Sequence, residues 1–398
     1  MRFYLQFGHG MIEHCRRLLG TWRGGGVILS PRDLTEDQLE RVAADARKAG
    51  AEPLLDPQCY LHDADHHRLT QHQYWQVYQG RSTASLLSGS GARDLIRELG
   101  GLSRRLRVER NILPGMLART VDDSWLSLHE VIIEAGAEEF GEDSALATVA
   151  LSVDSVRDEE QVEAIVERAA DWPVAGFYVV AHPPTGYLVE DPAWLANVLI
   201  LTSGLQLLGK PVLFGYGNHQ MLALAAANVD TIAAGSWLNV RAFPPAKFYM
   251  QGDEDRRRSV WFYCSQALTE YQAQFLDMAQ RHGMLEQMRP EPMLGSSHAD
   301  PLFAGPQPST VRWREQQAFR HYLTCLHGQC RAMSAGSFEQ ALQMQRGLLE
   351  SAEQLNSELR ANGVFARTRD FGPIFDVNRS ALIALERARG ARLRREWR

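Results

Sequence analysis

The sequence predicts a parallel (β/α)8 barrel followed by a mostly helical extension. Short apolar runs alternate with helix-period patterns through the first two thirds of the chain, as in a parallel sheet with crossover helices. There are eight runs, at 3–7, 27–29, 53–56, 111–116, 147–153, 176–180, 211–215 and 231–235, the number a closed barrel needs. They are apolar without clean alternation, as strands buried on both faces are. The 398 residues fit one barrel of about 250 residues plus an appendage. The expected division is a catalytic barrel over 1–250 and an extension over 251–398.

The elements justify themselves in order. After the second run, Thr35 and Gln38 have the spacing of a capping box. Leu39, Val42, Ala43 and Ala46 then form a helical stripe, and Gly50 stops it. The fourth run is the least regular, and 84–87 competes with it. Val162, Ile165, Val166 and Ala169 form a stripe after the fifth run, and Met221, Leu222, Leu224 and Ala225 form one after the seventh. Strand patterns stop near 245. Residues 259–283 read as a helix, and 288–310, rich in Pro, Gly and Ser, as a long loop. A helix starts near 311. Another spans 338–361, capped by Ser337 with Gln340 and stopped at Gly363, and a final helix carries arginines.

The net charge of −6 argues against a generic polyanion binder but leaves room for basic patches. These are Arg104, Arg105, Arg107 and Arg110; Arg256, Arg257 and Arg258, preceded by Asp253, Glu254 and Asp255; and Arg387, Arg389, Arg392, Arg394, Arg395 and Arg398. Solvated helix faces explain such patches equally well. Five cysteines (Cys15, Cys59, Cys264, Cys325, Cys330) are too sparse for a disulfide framework. The N-terminus lacks the pattern of a signal peptide, and no stretch approaches the roughly 18 apolar residues of a membrane span. The expected location is the cytoplasm, with no membrane partner.

Barrel active sites lie at the C-terminal ends of the strands. Read there, the sequence offers a polar residue at nearly every strand end. Asp56 and Asp154 are the carboxylates for general-base or nucleophilic work, because apolar walls move a carboxylate pKa toward working pH. Helix capping, or pairing with Arg32, is the plainer role for either. His182 is the third catalytic candidate. It and the candidate ligand-binding residues His9 and His219 could polarise, donate protons or bind metal, or could be hydrogen-bonded core histidines. Arg32, Asp33 and Tyr60 complete the second and third strand ends. Gly215, Tyr216, Gly217 and Asn218, with Ser236 next door, resemble an anion-binding corner, where glycines admit a ligand and helix amides face it; a plain tight turn has the same text. His321, Cys325, His327 and Cys330 have the softness and spacing of a structural zinc site, although they sit in text that reads as a helix with buried thiols. No other cofactor is expected.

The segment GKPVLFGYGNHQMLALAAANVDTIAAGSWLNVRAF (209–243) resembles the late-barrel segment of the tRNA-guanine transglycosylase superfamily, in its KP-x-x-x-x-G-x-G turn, V-D strand and N-x-R stretch. LTEDQLERVAADARKAGAEPLLDPQCYLH (34–62) is similar to that superfamily's L-T-x-x-Q-L helix and following strand. Together they cover about a quarter of the chain. The departures are specific. Ala233 stands where the family's nucleophilic Asp would follow Asp230, the family's four-ligand zinc motif is not reproduced, and SLLSGSGARD (85–94) replaces D-S-G-G-F-Q. The resemblance implies exchange of guanine for a 7-deazaguanine base in nucleic acid, DNA or tRNA, with the nucleophile moved to Asp56 or Asp154 and no required cofactor. It also implies a flipped-out base, a covalent glycosyl intermediate, and phosphates held by Arg392, Arg394 and Arg395. The competing enzyme is a metal-dependent hydrolase or lyase with His9, His62, His182 and His219 on one ion. A third reading is a barrel that has lost catalysis and serves as a binding subunit. A homodimer or partner proteins stay open.

Overall fold

The computed structural model describes residues 1–250 and 259–397. The charged run 253–258 and Arg398 lie outside the described residues. Eight strands form the barrel: β1 Arg2–Gln6, β2 Gly26–Leu29, β3 Glu52–Leu55, β4 Asn111–Ile112, β5 Ala145–Leu151, β6 Gly176–Ala181, β7 Val212–Phe214 and β8 Thr231–Ala234. All pair in parallel, in the order β3-β2-β1-β8-β7-β6-β5-β4. The β3–β4 seam is bridged beyond the strand ends, where the Leu117 N–H donates to the Tyr60 carbonyl at 2.9 Å. Each apolar run of the sequence is a strand, and 84–87 is helical, within Thr83–Leu87.

β4 is shorter than its run. Pro114 has no N–H to give a ladder, and a Cβ at Gly115 would lie 2.6 Å from the Thr148 side chain. After Leu113, whose N–H still donates to the Leu146 carbonyl at 2.9 Å, the chain leaves the ladder and pairs with β5 again at the Ala118–Leu151 bridge. The outer helices follow their signals. Thr35 and Gln38 make the full capping box of Glu36–Lys48, whose buried residues are Leu39, Val42, Ala43 and Ala46. Val162, Ile165, Val166 and Ala169 are the buried stripe of Glu159–Ala169.

Two elements differ from the sequence reading. After β7 the chain forms a 3-10 helix, His219–Ala227, with every residue buried. It is covered by the extension, and Gln345 Nε2 takes the Leu222 carbonyl at 2.7 Å, satisfying a group that an α-helix would bond internally. Residues 259–283 are not one helix. Trp261–Cys264 and Thr269–Gln272 form an antiparallel hairpin, β9 and β10, before the helix Ala273–Arg281. Residues of β9 alternate between two cores: Phe262 and Cys264 face a cluster within the extension, while Tyr263 joins the barrel core.

The extension continues through Glu315–Ala332, Phe338–Ala361 and Phe375–Glu396. Ser337 accepts from Gln340 N as the N-cap of the second of these. The last helix packs along Pro192–Gln206, which is buried on nearly all sides. All five cysteines are free and buried. Among the described residues no helix is long and apolar enough to cross a membrane.

Candidate active site at the barrel mouth

β3 ends by delivering Asp56 into the barrel mouth. Its side chain is 1% exposed. The Tyr60 hydroxyl donates to both oxygens at 2.9 and 2.8 Å, Tyr216 and Tyr178 donate at 3.1 and 3.2 Å, and the Gln58 N–H donates at 2.9 Å. Burial raises the Asp56 pKa to about 6, against the opposing effect of those hydrogen bonds. Burial, and then the Asp56 charge, push the Tyr60, Tyr178 and Tyr216 hydroxyls well above their ordinary range, so they remain donors.

Backbone strain gathers at the same place. Gln58 and Tyr216 hold φ of 59° and 54°, in the left-handed region that side chains other than glycine seldom enter. Arg23, Arg107 and Asn228 share such values as helix caps, but Gln58 and Tyr216 end no helix. Gln58 Nε2 donates to the Tyr216 hydroxyl at 3.1 Å and to Ser30 Oγ at 2.9 Å. Gly215 has its reason here, since a Cβ would collide with the Tyr178 hydroxyl on its way to Asp56. Arg32 is buried, bonds Asp33 at 3.1 Å and lies over the Phe248 ring; it pairs with Asp33 and not with either candidate catalytic carboxylate. Two donors of this region are buried without partners, Arg32 Nη1 and Gln6 Nε2.

The mouth is covered by the chain after β8. Val240 seats against Gly8, 2.9 Å from where a Cβ would stand, and its carbonyl accepts from Gly235 N at 2.8 Å. Beyond it Phe243 packs edge-on against Tyr60 and Tyr216, with centroids 4.9 and 5.3 Å apart, and Phe248 meets Tyr60 at 5.4 Å. The long loop after β3 clasps this cap: Asp63 accepts from the Tyr249 hydroxyl at 2.8 Å, Asp65 from Met250 N at 2.6 Å, and His66 N donates to the Phe248 carbonyl at 3.0 Å.

The structure places other sequence candidates elsewhere. Asp154 is exposed in the first turn of Val153–Arg157, which Ser152 caps, and the tyrosine hydroxyls converge on Asp56 instead. His182 is half-buried, with its pKa lowered by burial, and borders Phe243 at 6.5 Å. His9 is exposed and offers its carbonyl to Trp237. His219 faces the extension: Tyr187 and Tyr322 hydroxyls lie 3.3 and 3.5 Å from Nδ1, and burial lowers its pKa to about 4. Asn218 caps the 3-10 helix by accepting from Gln220 N. At the anion corner three of the backbone amides are already bonded. Gly215, Gly217 and His219 N–H groups bond Val179 O, Ala233 O and the Tyr322 hydroxyl at 2.9, 2.7 and 3.2 Å. Ser236 is buried, with Oγ unpartnered, in a cleft between the barrel and the extension.

The zinc set does not converge either. His321 bonds Ser296 and the Tyr263 carbonyl, His327 stacks on Trp22 at 4.3 Å, and Cys325 and Cys330 are buried thiols. Among the described residues no three of His, Cys, Asp and Glu are grouped to hold a metal, so His9, His62, His182 and His219 do not meet on one ion. Arg392 and Arg395 bond Glu396, and Arg394 bonds Glu339 and Glu386. Their helix ends at Trp397, which shares a hollow with Arg2 and Asp230, at the N-terminal ends of β1 and β8. The arginines therefore crowd the barrel face opposite Asp56. Of the other basic patch, Arg104, Arg105 and Arg110 pair with Glu139, Glu36 and Glu52.

Gln6, Tyr178, Phe243 and Phe248 escaped the strand-end reading. For Gln6 and Tyr178 a signal existed, since a polar group inside a strand buried on both faces needs an inward partner.

No family profile matches the chain, and none of the curated proteins does. Solved structures similar to it include the carboxyl transferase domain of Rhizobium etli pyruvate carboxylase with pyruvate and biocytin, at 12% identity and TM-score 0.35, covering 98% of this chain and 78% of that one. Another is Rhizobium etli pyruvate carboxylase with acetyl coenzyme-A, at 13% identity and TM-score 0.35, covering 97% of this chain and 46% of that one. Likeness at this level carries no argument about a shared site.

Proposed function

We propose that this chain is a barrel enzyme of the transglycosylase type, exchanging guanine for a 7-deazaguanine base in DNA or tRNA, with Asp56 as its nucleophile. The observation that carries the reading is the buried Asp56 carboxylate, held by three tyrosine hydroxyls at the end of the barrel where such enzymes work. A pKa of about 6 leaves it largely ionised at neutral pH. An ionised carboxylate attacks the anomeric carbon, the glycosidic bond to the departing base breaks, and the incoming base reverses the step. The tyrosines orient the attacking oxygen. The unpartnered donors Gln6 Nε2 and Arg32 Nη1 suit the acceptor edge of a heterocycle. The sequence segments 34–62 and 209–243 supply Asp56, Tyr60 and Tyr216, so the resemblance and the cluster fall on the same residues. Arg392, Arg394 and Arg395 contribute nothing to this reading. Arg68, which bonds the Asp33 carbonyl at 2.7 Å, is a cation beside the mouth that can meet a phosphate. Substrate reaches Asp56 only when Phe243 and Phe248 withdraw.

The test is incorporation of labelled 7-deazaguanine base into DNA and into tRNA by the purified chain, with acid-quenched mass spectrometry of the protein. The expected result is incorporation into one of the two, with a glycosyl adduct on the peptide holding Asp56. Asp56→Asn should lower the rate by at least about a thousandfold. Absence of both incorporation and adduct, or full activity in Asp56→Asn, overturns the proposal.

A further inference from the structure

A hollow of about 410 Å³ opens within the extension, between the helices Glu315–Ala332 and Phe338–Ala361 and the short turn Pro292–Leu294. Small-molecule sites have this size. Its wall is apolar and deformable. Met293, Leu294, Met333, Met344 and Leu348 line it, and methionines adapt their shape to what they pack against. Met293 is 72% exposed, apolar surface that a bound molecule would take out of water. Gln329 also lines the hollow, but its amide is already used, accepting from the Tyr263 hydroxyl at 3.0 Å and donating to the Ser265 carbonyl at 3.1 Å. Gly347 keeps the space open. It stands inside Phe338–Ala361, on the face that carries Met344, Leu348 and Ser351 into the same lining. Glycine weakens a helix interior relative to alanine. The fold does not call for it, since its φ is not left-handed and no atom lies within 4 Å of where a Cβ would stand. A side chain there would project into the hollow. The single charged group of the lining is Glu291, which is exposed and makes no ion pair among the described residues.

The hollow therefore joins an apolar, methionine-lined wall, a glycine that leaves it unfilled, and one carboxylate at its edge. We propose that it is a ligand site for a small amphiphilic amine. The alkyl or aryl body lies between Met344, Leu348 and Leu294, Met293 folds over it, and the ammonium group meets Glu291. A fatty carboxylate of the same shape would set its charge against Glu291, and a neutral alcohol would leave that carboxylate unmatched. The site is separate from Asp56 and does not depend on the reaction proposed there.

Calorimetric titration of the full chain with decylamine, decanol and decanoate at neutral pH tests the proposal. Decylamine should bind with a negative heat-capacity change, as burial of an apolar body requires. Because Glu291 is exposed, its charge should favour decylamine over decanol by only about threefold, and decanoate should be weaker still. Glu291→Gln should erase the difference between amine and alcohol and melt like the parent. Gly347→Leu should weaken decylamine at least about tenfold by filling the hollow, yet melt no lower than the parent, since leucine is the better helix former and its Cβ meets no atom within 4 Å. Asp56→Asn should leave the affinity unchanged. Three results would overturn the proposal: no binding of decylamine, decanol or decanoate binding as tightly, or an affinity that Gly347→Leu does not change. So would self-association of the parent chain that Gly347→Leu abolishes, which would assign the hollow to a second copy.

Discussion

A carboxylate buried in a barrel mouth opposes folding whenever it is ionised, and that opposition has a measurable sign. Asp56 titrates near 3.8 in an ordinary setting and near 6 in the folded chain. Between those values the native state holds the extra proton, so stability falls as pH rises through the window and stays lower above it. Asp56→Asn removes the charge and keeps the shape. The variant should gain on the order of 2–3 kcal/mol relative to the parent at pH 7, and nothing at pH 3. Urea unfolding at the two pH values checks this, and an equal ΔΔG at both would contradict the assigned pKa. A gain in stability at pH 7 would mean that the Asp56 carboxylate is carried at a cost to the fold, as the proposed role expects. The strained backbone at Gln58 and Tyr216 belongs to the same account, for both residues spend unfavourable φ angles to bring polar groups around Asp56. Asp56, Tyr60, Tyr216, Arg32 and Asp33 could be picked from strand ends. Gln6 and Tyr178 could not be picked that way, because they act from within strands β1 and β6.

Among the elements, the cap after β8 decides access. It is held to the loop after β3 by Asp63, Asp65 and the His66 backbone, on exposed or half-buried positions. It is held to the barrel by the buried rings of Phe243 and Phe248. The clasp is the weaker of the two, since exposed hydrogen bonds are each worth about 1 kcal/mol. Replacing Asp63 and Asp65 together by alanine should speed amide exchange in 243–250 by roughly ten- to thirtyfold while leaving the barrel strands protected. Hydrogen-exchange mass spectrometry reads both. Uniform acceleration across the chain would mean that the clasp supports the whole fold and is not a local latch.

At the scale of the whole molecule, the extension completes the barrel's core as well as adding its own. The helix Pro192–Gln206 is buried on nearly all sides, and it packs against Phe375–Glu396. Gln345 closes a backbone carbonyl of the 3-10 helix after β7. A chain cut to 1–250 exposes these surfaces, far more apolar area than a stable monomer displays. It should be recovered in aggregates, or bind a hydrophobic dye strongly, where the full chain does neither. A monomeric 1–250 fragment with a cooperative melt would show that the barrel is self-sufficient.

The sequence by itself determined the rhythm of eight buried strands, the capped helices between them and the free, buried thiols. These follow from local propensity and from burial on both faces, which each short segment carries within itself. The tertiary structure alone decided which strand-end groups point inward. Asp56 and Asp154 end similar apolar runs. One is turned into the mouth by Gln58 and met by a tyrosine 160 residues away, while the other opens an exposed helix. The same holds for the arginines of the last helix, whose position depends on where that helix docks, and for the hairpin β9–β10, whose alternating residues needed two separate cores to face. Contacts between distant segments make these choices, and no local pattern encodes them.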